Sequence, residues 1–213
     1  MTRIALIHAL AHSVAPINDA MAQHWPQALR MNLLDDSLSA DLARAGSLDA
    51  AMHDRFQRLA AYALDCGSDA ILFTCSAFGP CIEAVARAHP RVPVLKPNEA
   101  MVAEAAALGG RLGLVASFAP TLASMPPEFP PQLDLRIRLA EGALAALDAG
   151  EGTRHDQLVA AAARQLVDEG CTAIALAQFS LARARETVAA ACGVPVLTTV
   201  HSAVAELRRR LEE

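Results

Sequence analysis

Aromatic residues make up only 4% of this 213-residue chain, too few for the stacked rings on which a nucleic-acid platform depends. Basic blocks are equally scarce. The formal charge is -5, and the single run of cations, Arg208-Arg209-Arg210, sits in a terminal helical pattern as a solvated face. No nucleic-acid partner is expected. No apolar run approaches bilayer-spanning length, so no membrane partner is expected either. The opening Thr2-Arg3-Ile4-Ala5-Leu6-Ile7-His8 reads straight into a strand, so no signal segment is expected. The five cysteines (Cys66, Cys75, Cys81, Cys171, Cys192) are odd in number, irregularly spaced and without a CxxC pair. They read as free thiols in a reducing, cytoplasmic setting. GxGxxG, P-loop and HExxH motifs are also missing. His8 and His12 are spaced i, i+4, but across a strand end and a loop, which does not put them on one helical face for zinc.

What is present is apolar. Hydrophobic residues reach 54%, enough for a substantial core and too much for disorder. Ile4 to Ile7 reads as a buried strand, and Ser13 as the N-cap of a helix running toward His24. Leu29 to Leu34 is a second strand. After an irregular stretch, Leu48 to Cys66 is a long amphipathic helix stopped by Gly67. The strand ending at Cys75 follows, then a helix over Pro80 to Ala88, the strand Val92 to Leu95, and a helix capped by Asn98 that runs to Leu108. Gly109-Gly110 breaks it. The Pro126-Pro127-Glu128-Phe129-Pro130-Pro131 segment reads as a stiff extended loop.

The pattern then repeats itself. Arg111-Leu112-Gly113-Leu114-Val115 has the character of Arg3-Ile4-Ala5-Leu6-Ile7, and Leu135 to Leu139 stands where Leu29 to Leu33 stood. The helix Asp156 to Glu169 ends at Gly170 as its counterpart ends at Gly67. At that offset Ile71-Leu72-Phe73-Thr74-Cys75 lies over Ile174-Ala175-Leu176-Ala177-Gln178, and Val92-Pro93-Val94-Leu95 over Val194-Pro195-Val196-Leu197. Strands alternating with helices predict an α/β fold: two flavodoxin-like parallel-sheet halves about a pseudo-twofold axis, with a ligand cleft between them. The division expected is 1–97 plus 201–213 for one half and 98–200 for the other.

Chemistry concentrates at Ile71-Leu72-Phe73-Thr74-Cys75-Ser76-Ala77-Phe78-Gly79-Pro80. An apolar strand ends at a thiol flanked by two hydroxyls, and Pro80 marks the first turn of a helix. Ligands of open α/β sheets bind outside the carboxyl ends of the strands. A helix N-terminus there would attract a carboxylate and lower the Cys75 pKa. The alternative is a small buried residue, the ordinary fate of a free cysteine.

With its two halves and thiol-bearing strand end, the chain resembles the aspartate/glutamate racemase superfamily, which includes hydantoin racemase, maleate isomerase and arylmalonate decarboxylase. The resemblance rests on Phe73-Thr74-Cys75-Ser76, Pro97-Asn98-Glu99-Ala100, Gly113-Leu114-Val115-Ala116-Ser117 with Thr121, and Pro195-Val196-Leu197-Thr198. It implies an enzyme without metal, pyridoxal phosphate or flavin, acting on a small-molecule carboxylate, in a family whose members commonly form homodimers. In two-base members one cysteine from each half serves the substrate α-carbon. Cys75 matches the first. The second position holds Gln178, which neither gives nor takes a proton at useful pH. One-thiol chemistry of the arylmalonate decarboxylase type is the alternative within the superfamily, although its thiol lies on the other half. A non-catalytic carboxylate-binding protein and a covalent hydrolase or lyase are the alternatives outside proton transfer.

Supporting roles stay open at this level. Thr74 and Ser76 either donate to a substrate carboxylate or cap a turn. Gln178 offers an amide donor or fills space; Phe179 and Ser180 add an apolar wall and a further donor. Ser117 and Thr121 match Ala9 and Ser13 in the repeat, so Ser13 and Thr121 stand at two helix starts as carboxylate binders or caps. His8 and His201 each read as a second general acid or as an ordinary structural histidine. His24, His53, His89 and His155 are expected to face water.

Overall fold

In the computed structural model, which describes residues 2–212, the buried apolar runs become two separate four-stranded parallel sheets. The first contains β1 (Arg3–His8), β2 (Leu29–Leu34), β3 (Ala70–Phe73) and β4 (Val94–Leu95), in the order β2-β1-β3-β4. The second contains β5 (Arg111–Ala116), β6 (Asp134–Leu139), β7 (Ala173–Leu176) and β8 (Val196–Thr198), in the order β6-β5-β7-β8. The orders are the same, element for element. Residues up to Pro97 together with those from Ala203 onward make one compact unit, and Asn98 to Ser202 make the other.

Helices cover the sheets because strands buried on both faces need apolar partners. The first unit uses α1 (Val14–His24), α2 (Ser37–Ala45), α3 (Ala50–Asp65) and α4 (Gly79–Ala88). The second uses α5 (Glu99–Leu108), α6 (Ala119–Ser124), α7 (Ala143–Asp148), α8 (Gly152–Asp168) and α9 (Arg185–Cys192). The last helix, α10 (Thr199–Glu212), begins in the second unit and ends in the first. Among the described residues no helix is long and apolar enough to cross a membrane.

The long helices show why the repeat is physical. In α3, Met52, Phe56, Ala60 and Ala63 recur on one face and are buried, and the Asp49 carboxylate caps the start by accepting from the Met52 N–H at 2.8 Å. At its end Gly67 takes a positive φ of 77°, and Arg3 at the start of β1 donates to the Cys66 carbonyl. The second unit repeats the device: Gly170 has φ 91°, and Arg111 Nη1 donates to the Glu169 carbonyl at 2.8 Å. A cation on the last carbonyls of a helix satisfies an orphan acceptor and opposes the dipole.

In the first core the Phe56 ring stacks on Phe73 at 5.2 Å and tilts against Phe78 at 5.0 Å. Phe73 ends β3 and Phe78 follows a few residues on, so one aromatic of α3 grips both sides of the Thr74–Ala77 segment. Edge-tilted and offset rings at this spacing add stability beyond their buried area.

Five expectations need correction. The stretch after Leu34 is ordered as α2, with Leu38 buried under it. The proline-rich segment is not extended: Pro126–Glu128 forms a 3-10 turn and Phe129 enters the second core. Ser13 precedes α1 without a side-chain cap bond, and Asn98 spends its amide on Glu128 Oε1 at 3.2 Å instead of capping α5. His155 is fully buried, with Nδ1 2.7 Å from Asp156, which Arg183 also holds at 2.9 Å.

Candidate active site

At the carboxyl end of β3 the chain leaves the sheet in extended conformation. Thr74 N–H still donates to the Ile7 carbonyl at 3.0 Å, and Cys75 follows at φ -129°, ψ 120°. A 3-10 turn, Ser76–Phe78, then separates the thiol from α4. That turn alters the electrostatics expected of Cys75. Burial pushes the thiol pKa up, and a hydrogen bond from the Ala77 backbone offsets this in part. The expected lowering does not occur: the helix starts beyond the turn, and desolvation of the thiolate outweighs one N–H. Even so, Cys75 stays partly exposed, whereas Cys81, Cys171 and Cys192 are buried. Cys66 caps the far end of α3.

Behind Cys75 lies a polar chain within the first unit. His8, the last residue of β1, is fully buried, with Nδ1 3.0 Å from Thr74 Oγ1 and Nε2 3.0 Å from Asn32 Oδ1. Asn32 in turn pairs with Asn18 of α1. Both ring nitrogens of His8 are thus taken up by groups of its own unit. Burial lowers its pKa, partly offset by the bond to Asn32. Asn32 and Asn18 had no place among the expected site residues; the polar Asn32 within the strand Leu29–Leu34 was the available sign. Of the remaining first-unit candidates, Ser76 is partly exposed in the 3-10 turn and Ser13 is buried at the end of another, Ala11–Ser13.

The second unit carries the matching strand end. Ala177 N–H donates to the Val115 carbonyl at 2.9 Å, the counterpart of the Thr74–Ile7 bond. Gln178 then occupies the position of Cys75. Its Oε1 accepts from the Ser117 N–H at 2.7 Å and the Ser117 hydroxyl at 3.2 Å. With the carbonyl oxygen so committed, the amide N–H₂ is the face Gln178 can turn to a ligand. Phe179 is buried, Ser180 partly exposed, and Thr121 buried within α6. At the end of β8, Thr198 Oγ1 accepts from the His201 N–H at 3.1 Å and meets its ring Nδ1 at 2.6 Å. Gln178 with Ser117, and Thr198 with His201, are thus joined within this unit. Thr199 beside them is buried with an unpaired hydroxyl. Among the described residues no three His, Cys, Asp or Glu side chains gather as a metal site.

Solved structures share this architecture. Allantoin racemase from Klebsiella pneumoniae superposes with a TM-score of 0.74 at 18% identity, covering 100% of this chain and 88% of its own. Aspartate racemase from Picrophilus torridus gives 0.73 at 9%, covering 100% and 95%. Glutamate racemase RacE1 from Bacillus anthracis gives 0.72 at 12%, covering 99% and 82%. At such identities these likenesses establish the fold. Curated sequences give no match. The sequence profile described as Asp/Glu/Hydantoin racemase, by contrast, matches residues 11–207, nearly the whole chain. This chain belongs to the Asp/Glu/hydantoin racemase family.

Proposed function

We propose that this protein is a cofactor-independent racemase or isomerase that moves a proton at the α-carbon of a small carboxylate or amino-acid derivative, with Cys75 as the acid/base. The observation that carries this reading is the Cys75 thiol, partly exposed at the carboxyl end of a central strand while three other thiols are buried. On this reading Gln178 and Ser117 orient the substrate through hydrogen bonds, joined by Ser13, Ser76, Thr121 and Ser180, with Phe179 as apolar backing. His201 is assigned the second proton, the role that a second thiol plays in two-base relatives.

One observation favours a second reading. Because its pKa is raised, the resting Cys75 is a protonated thiol at neutral pH. A protonated thiol is ready to deliver a proton to an enediolate, the step that ends a decarboxylation of arylmalonate type, and an amide at position 178 fits one-thiol chemistry. Incubation in D₂O with amino acids, hydantoins and substituted malonates separates the two. Racemisation incorporates α-deuterium into both hands; decarboxylation releases CO₂ and gives one hand. Both require that Cys75→Ala lose the activity.

A further inference from the structure

The direction of every hydrogen bond behind Cys75 follows from a single backbone carbonyl. Val14 O can only accept, so the Asn18 atom 2.8 Å from it is the amide nitrogen. That nitrogen also lies 2.8 Å from Asn32, whose facing atom is therefore the oxygen, Oδ1. The reciprocal Asn32 Nδ2 to Asn18 Oδ1 contact, 3.2 Å, agrees. An oxygen facing His8 Nε2 at 3.0 Å requires that Nε2 carry the proton. In the neutral ring Nδ1 is then an acceptor, and Thr74, 3.0 Å away, must donate to it.

We propose that His8 is a positioning residue: held in its Nε2–H tautomer by Asn32 and Asn18, it draws the only hydroxyl proton of Thr74 inward and so fixes the Thr74–Cys75 strand end. Thr74 Oγ1 is then able only to accept. A substrate carboxylate has no proton to offer it, so Thr74 is no carboxylate anchor, and any ligand group that meets it is an N–H or O–H donor. Protonating His8 reverses the last link. Both ring nitrogens then donate, and the Thr74 proton turns to the Ile7 carbonyl, 3.4 Å away. The groups that meet the ring, Thr74 and Asn32, with Asn18 behind, are uncharged. Arg30 of β2 binds the Asn18 backbone carbonyl, and Asp35 beyond β2 is paired with Arg55, so neither charge bonds to the imidazole. Cys75 is the titratable neighbour along the chain. The consequence for catalysis rests on the Cys75 reading given above; the tautomer does not.

The test uses the full chain labelled with ¹⁵N-histidine. Long-range ¹⁵N–¹H correlation spectra are recorded from pH 5 to 8, with His8 assigned by its loss in His8→Gln. Iodoacetamide alkylation of Cys75 is followed by peptide mass spectrometry over the same range. The spectra should show a neutral ring protonated on Nε2 at pH 7, and Thr74→Val should perturb Nδ1 and leave Nε2 bonded. His8→Gln should change the Cys75 alkylation rate at pH 7 by about threefold or more, roughly half a pKa unit. Adding Thr74→Val to it should change little further. A ring protonated on Nδ1 or charged at pH 7 overturns the proposal. So does a His8→Gln variant with lowered melting temperature but an unaltered alkylation profile, the mark of a merely structural role. If His8→Gln does not fold, His8→Asn supplies the assignment, and the spectra with Thr74→Val decide, since Val keeps the shape of Thr. Should these results hold while Cys75→Ala keeps its activity, the catalytic reading falls and the positioning assignment stands.

Discussion

A thiol in this family is expected to work as a base, yet the residue scale gives Cys75 the wrong resting state for one. Desolvation costs the thiolate more than the Ala77 N–H returns, so the proton stays on the resting sulfur at neutral pH. Alkylation of Cys75 should therefore be slow at pH 7 and rise only above the ordinary thiol range; fast alkylation at neutral pH would contradict the assigned environment. Thr74 and His8 show how far residue roles could be read in advance. Both were visible as polar groups at strand ends. What joined them was not, because a hydrogen bond across 66 positions depends on strand register, and parallel register leaves no local mark in the sequence.

Elements were more legible than contacts. Buried parallel strands are continuous apolar runs, and β1, β3, β5 and β7 stand out for that reason. α2 and α7 did not, since helices of nine and six residues offer little periodicity. The proline-rich turn was misjudged because burial of Phe129 overrode the preference of its prolines for extended backbone. Packing predicts two outcomes at this scale. Gly113 of β5 sits under α8, where an added Cβ would lie 2.8 Å from Ile174 Cδ1 and 3.0 Å from Leu166 Cβ. Gly113→Ala should cost about 1–3 kcal/mol through overpacking, read from urea unfolding. Ala5, its repeat counterpart, shows that this layout can accept a methyl where the helix above allows it. Phe56→Ala should cost about 3–5 kcal/mol, and it removes the ring that touches both Phe73 and Phe78. It should also raise hydrogen exchange across Thr74–Ala77 more than across β5, and equal exchange at both would mean that the grip is not local.

For the whole molecule, duplication is the organising fact: one strand order and one arginine staple, used twice. The repeat was readable because its strands, glycines and arginines serve the fold. The strand-end residues Cys75 and Gln178 diverged, which is where two copies of one design are free to differ. Acid should reveal two titrations in overall stability. The His8 pKa is below 6.5 in the folded state, so the unfolded chain binds that proton more readily; its contribution is full above 6.5 and fades as pH falls through the folded value. Glu206, bonded by Arg209 and Arg210, is lowered from 4.5 to about 2, so its contribution is full above 4.5 and fades toward 2. Urea midpoints against pH should lose the first step in His8→Gln and the second in Glu206→Gln. Unchanged curves would refute the assignments. The central claim, proton transfer through Cys75, is tested most directly by α-deuterium incorporation in D₂O. The wild-type protein should label at least one amino acid, hydantoin or malonate product at the α-carbon and Cys75→Ala none; equal labelling by both proteins would contradict the account.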